Sequence, residues 1–137
     1  MTSTLSALVA AAALALLQWT PYIAQRAFLW GLGDFLRNYP EGFPAREPEP
    51  PLWAQRAKRA HLNMVESLPS FTAVVLASHV AGTPDVVTAT PAFLFLVARV
   101  AYAVAYTAGV PFLRTPTYLL GWGATLYIAA QALGGGA

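Results

Sequence analysis

The chain has 137 residues, 57% of them hydrophobic and only 10% charged, with a mean hydropathy of +0.52; soluble domains run near 25% charged, so the composition describes a single-domain integral membrane protein. No cysteine is present, which excludes disulfides, thiolate metal sites and a cysteine nucleophile. A net charge of +2 with no basic run interleaved with aromatics gives no support for a nucleic-acid partner, and His61 and His79 have no metal-ligand spacing, so no metal is expected.

In chain order, Met1 to Thr4 carries no basic residue and the apolar run continues past Leu17 to Leu32, so the first segment reads as a retained span over 5–32 rather than a signal peptide. Pro21 should kink it, and Gln18, Gln25 and Arg26 give its second half a polar side. Residues 33–52 form a polar loop, where Pro40, Pro44, Pro48, Pro50 and Pro51 exclude a continuous helix. The second span, 53–81, opens with Gln55, Arg56, Lys58, Arg59 and His61 and turns apolar from Leu68. Gly82 to Asp85 is a tight connection, with Thr83 or Asp85 as the expected N-cap of a third span, 86–108. Gly109-Val110-Pro111 ends that span, and a fourth runs over 116–133 with Pro116 in its first turn. The expected fold is all-α, a four-helix membrane bundle. Arg37, Arg46, Arg56, Lys58, Arg59 and Arg114 flank the loops 33–52 and 109–115, which places both loops in the cytoplasm and both termini outside. Short termini and an alanine-rich composition suggest a bacterial inner membrane.

Arg99 lies within the third span, and neither flank holds another charge. Inserting an arginine near a helix centre costs at least about 2.5–3.5 kcal/mol, so it faces a partner, a cavity or a ligand. Arg99, Tyr102 and Tyr106 follow at helical spacing, as do Arg56, Arg59, Asn63, Glu66 and Ser70 in the second span. The two stripes reach comparable depth, with Arg26 and Arg114 around the same opening. One reading is a structural Glu66–Arg99 ion pair. The other takes the excess of guanidinium over carboxylate as the mark of an anionic ligand. Glutathione, with two carboxylates, an ammonium and a thiol favoured as thiolate beside arginine, fits that description.

The run from Arg59 to Pro69 (RAHLNMVESLP) resembles the signature of the MAPEG family, the membrane-associated proteins of eicosanoid and glutathione metabolism. The run from Arg99 to Tyr106 with Arg114-Thr115, and Gln25-Arg26-Ala27-Phe28, resemble that family's third-helix and first-helix motifs. The resemblance implies a homotrimer binding glutathione as co-substrate in clefts between subunits. Arg59, Asn63 and Glu66, met by Arg99, Tyr102, Tyr106 and Arg26, would hold the peptide. Arg114, with Tyr106, would stabilise the thiolate for attack on a lipophilic electrophile or hydroperoxide arriving from the membrane. Leu62 stands where some members carry a basic residue, so one carboxylate contact is absent from the motif. The family also contains a lipid-binding member without catalysis, so a non-catalytic lipid-binding protein is the alternative. Polar stripes serving assembly alone are a third reading.

Overall fold

The computed structural model describes residues 1–37 and 48–134. Among them every regular element is a helix: α1 (Ser3–Gln18), α2 (Thr20–Trp30), α3 (Leu32–Arg37), α4 (Leu52–Val80), α5 (Asp85–Ala108) and α6 (Arg114–Gly134).

The expected first span is divided at Trp19. Pro21 has no N–H to give the Leu17 carbonyl one turn back. The Thr20 hydroxyl donates to that carbonyl instead, at 2.7 Å. Gly31, at φ 82°, then separates α2 from α3. Here the polar loop expected over 33–52 is corrected, since residues 32–37 are helical. They contain no proline, and Asp34 in the first turn and Arg37 in the last complement the helix dipole. Pro40, Glu41, Pro44, Arg46 and Glu47 lie outside the described residues.

The N-cap expected for the third span is also corrected. Pro84 occupies that position and no side chain caps α5. Asp85 caps α1 across the bundle: its carboxylate accepts the Ser3 and Thr4 backbone N–H groups at 3.0 and 2.9 Å and the Thr4 hydroxyl at 2.5 Å. Two orphan backbone donors and a hydroxyl at one helix start outcompete the local turn, because an unsatisfied N–H away from water is costly. Thr4 and Thr88 hydroxyls meet beside it at 2.8 Å. At its far end α5 closes on Gly109 in the left-handed conformation, φ 75°, ψ 27°.

Helix α5 packs against α1, α4 and α6; α1 and α6 also pack on α4, and α2 lies on α3 and α4. The shared core takes Ala7, Leu8, Ala11 and Ala15 from α1, Met64, Phe71 and Val75 from α4, Ala92 and Phe95 from α5, and Ala124 and Ile128 from α6. The alanine stripe lets α1 approach closely, as small residues do in membrane helix contacts. Phe71 and Phe95 stack in parallel, 3.8 Å between centroids.

Two stretches among the described residues, Ser3–Trp30 and Asp85–Ala108, are long and apolar enough to cross a membrane. They are not the sheathed core helices of a soluble protein. Leu16, Leu17, Val97 and Val104 are 55 to 70% exposed along them, an apolar surface suited to lipid rather than water.

Candidate functional site

The polar residues of α4, α5 and α6 converge on Arg99, which is only 2% exposed. One terminal nitrogen, Nη1, donates to Asn63 Oδ1 at 2.8 Å and to Ser67 Oγ at 3.2 Å. The other, Nη2, donates to the Tyr118 carbonyl at 3.0 Å. The Ser67 hydroxyl donates to the Asn63 backbone carbonyl at 2.7 Å. The guanidinium carbon lies 5.1 to 5.5 Å from the ring centroids of Phe95, Tyr102 and Tyr118. These bonds and ring quadrupoles compensate a buried cation. The cation fits because α6 has no side chain at Gly121, where a Cβ would stand 2.7 to 3.2 Å from the guanidinium.

The expected Glu66–Arg99 ion pair does not form among the described residues. At 100° per residue Glu66 points about 60° away from Asn63 around α4, and it is exposed. Glu66 instead shares a cavity of about 150 Å³ with Asn63, Ser70, Trp122, Thr125 and the edge of Arg99. A ladder of rings and cations leaves this cavity along α5. Tyr102, itself buried, lies 5.6 Å from Tyr106, and Arg114 at the start of α6 stacks on Tyr106 at 4.9 Å. Arg114 is exposed. This end of the ladder sets a hydroxyl-bearing ring beside a guanidinium at the surface.

Arg26 and Arg59 do not join this group within one chain. They line a second cleft of about 640 Å³ between α2 and α4, with Tyr22, Gln25, Gln55 and Lys58 and the segment Pro48 to Pro50. Arg26 also lies over the Trp30 ring at 4.3 Å. His61 Nδ1 meets the Tyr22 hydroxyl at 2.8 Å and ties α2 to α4. The two cavities therefore flank a single α4 stripe on which Arg59, Glu66 and Ser70 are exposed.

Ser67, Tyr118 and Gly121 were not singled out by spacing. Gly121 carried a usable signal, since a glycine inside a helical pattern marks a close approach. Tyr118 acts through its carbonyl, which no side-chain pattern reports.

The model of the MAPEG family matches residues 3–134, nearly the whole chain. No curated protein sequence matches it.

Proposed function

The chain belongs to the MAPEG family, whose members include glutathione transferases and peroxidases, and from that premise we propose that it is a membrane-bound, glutathione-dependent transferase or peroxidase. The observation that carries the reading is the surplus of cation over acid along the α4 stripe and the two cavities that flank it. Glu66, the single carboxylate of its cavity, lies there with Asn63, Ser70 and Arg99, while Arg114 stacks on Tyr106 and Arg59 lines the second cleft with Arg26 and Lys58. Such a surface facing lipid is costly, and a ligand bearing two carboxylates and one ammonium balances it. Arg59 and the Asn63 amide serve the carboxylates and Glu66 the ammonium. Arg114 and the Tyr106 hydroxyl stabilise the thiolate, which then displaces the leaving group of a lipophilic electrophile or attacks the terminal oxygen of a hydroperoxide. In the second case the O–O bond breaks to release the alcohol and leaves a glutathione sulfenic acid, which a second glutathione converts to the disulfide and water.

The single chain supplies two half-sites facing outward from α4. A homotrimer joins the Arg26 side of one copy to the Arg99 and Arg114 side of the next, which removes the exposed charges from lipid. In this arrangement four spans cross a bacterial inner membrane, both termini lie outside, and the clefts open to the cytoplasm, where the basic flanks lie.

Calorimetric titration of glutathione into the detergent-purified protein should show saturable binding. With chlorodinitrobenzene as electrophile, Arg114→Ala should lower turnover by about 10²-fold, the cost of deleting one charge stabiliser, while native mass spectrometry reads an unchanged subunit count. A folded wild type that binds no glutathione would replace this reading with lipid binding, and a fully active Arg114→Ala would remove Arg114 from the chemistry.

A further inference from the structure

We infer that Arg99 is a positioning residue: it holds the Asn63 carboxamide with Oδ1 inward and Nδ2 outward, so that Asn63, and not Arg99, donates to the bound peptide. The inference deepens the glutathione reading, on which its ligand arm rests. Arg99 has little left to offer a ligand. Three of its five N–H groups are committed, both on Nη1 to Asn63 and Ser67 and one on Nη2 to the Tyr118 carbonyl, and the edge that holds Nη2 and the unpartnered Nε is packed against Gly121. Three rings surround the plane, and the residue is 2% exposed.

The same bonds leave Asn63 one orientation. A guanidinium only donates, so it selects the amide oxygen; the flipped amide would oppose donor to donor. Ser67 fixes the guanidinium in place: its hydroxyl donates to the Asn63 backbone carbonyl, so its oxygen has lone pairs for Nη1. The two Nδ2 protons are then free on the side where Asn63 lines the cavity with Glu66. A carboxamide donor and a carboxylate acceptor, one turn apart, match the carboxylate and ammonium of an α-amino acid end. The buried charge polarises the amide from behind, which strengthens its donation.

The chain has two asparagines, Asn38 and Asn63. Asparagine-selective ¹⁵N labelling therefore gives two side-chain amide signals, and Asn38→Gln assigns that of Asn63. In the full-length protein, Arg99→Met should shift the Asn63 amide and speed its proton exchange, and Arg99→Lys should restore part of the shift. Glutathione Kd should rise about tenfold in Arg99→Met, the scale of a lost charge-assisted hydrogen bond. Adding Arg99→Met to Asn63→Ala should then raise Kd by less than about twofold, because a residue acting through Asn63 has nothing left to act on. An unchanged Asn63 amide in a folded Arg99→Met, or losses that multiply in the double variant, would overturn the inference. If Arg99→Met does not fold, Gly121→Ala displaces the same guanidinium by a methyl group and is read in the same two ways. A wild type that binds no glutathione defeats the ligand reading, while the Asn63 amide still decides whether Arg99 orients it.

Discussion

Gly109 and Gly121 perform one task at two places: each omits a Cβ where a guanidinium lies. At Gly109 the occupant is Arg56, from the first turns of α4, and the backbone is left-handed as well. Gly109→Ala should therefore destabilise the protein by about 1–2 kcal/mol from the αL backbone alone, with a further loss as Arg56 is pushed from the C-terminal end of α5. Thermal unfolding in detergent measures it. Gly123, with open space around its absent Cβ, is the comparator: in a single subunit Gly123→Ala should be neutral or stabilising, since alanine is the better helix former. A marked loss there would place Gly123 in a subunit contact. Glycines of this kind are half legible in a sequence. Their position inside a helical pattern shows that something comes close, but a long flexible arginine from another helix leaves no periodic trace of where it ends.

At the scale of elements, the start of α1 depends on a carboxylate 81 residues away in sequence from Thr4. Asp85→Ala removes the acceptor of two backbone N–H groups and a hydroxyl, so it should cost about 1 kcal/mol, as loss of an N-cap does. The loss should appear as faster proteolysis near Ser3 as well as a lower thermal midpoint; unchanged cleavage there would mean that the Thr2 cap, the Thr4–Thr88 contact and the alanine stripe hold α1 without Asp85. The helical segments themselves were legible from apolar runs and proline-glycine punctuation, with α4 starting at Leu52 and α5 ending at Ala108 beside Gly109. Three features were not. Asp85 has a local role open to it that the spatial one displaces. The helical turns of Leu32–Arg37 are hidden beside a proline-rich stretch. The kink expected at Pro21 is there, with Trp19 itself in the αR conformation, but that Thr20 would take the carbonyl Pro21 cannot reach was not legible. Opposite charges at similar depth suggested the Glu66–Arg99 pair, but depth fixes only one coordinate; azimuth around α4 gave Arg99 to Asn63 and Ser67.

Across the whole molecule, the polar stripe of α4 separates two clefts, and the proposed trimer would join them between neighbouring copies. Glu66→Gln keeps the shape and removes the acid, so it should weaken glutathione binding by about tenfold, the worth of a charged hydrogen bond, while native mass spectrometry still reads the wild-type subunit count. Dissociation of the assembly by this change would assign Glu66 to subunit contact instead.

Helix α2 forms one wall of the larger cleft, yet none of its residues is buried. It is joined to α1 through the break at Trp19 and leans on α4 through Tyr22 and His61. The load of folding is thus carried by α1, α4, α5 and α6, whose packed residues make up the core. Changes at Ile23 or Leu29 alter the bore of the cleft without removing a core side chain. Apart from Tyr22 and Arg26, substitution on that wall costs little core packing, so in the proposed transferase the bore of the cleft can change while the scaffold beneath stays the same.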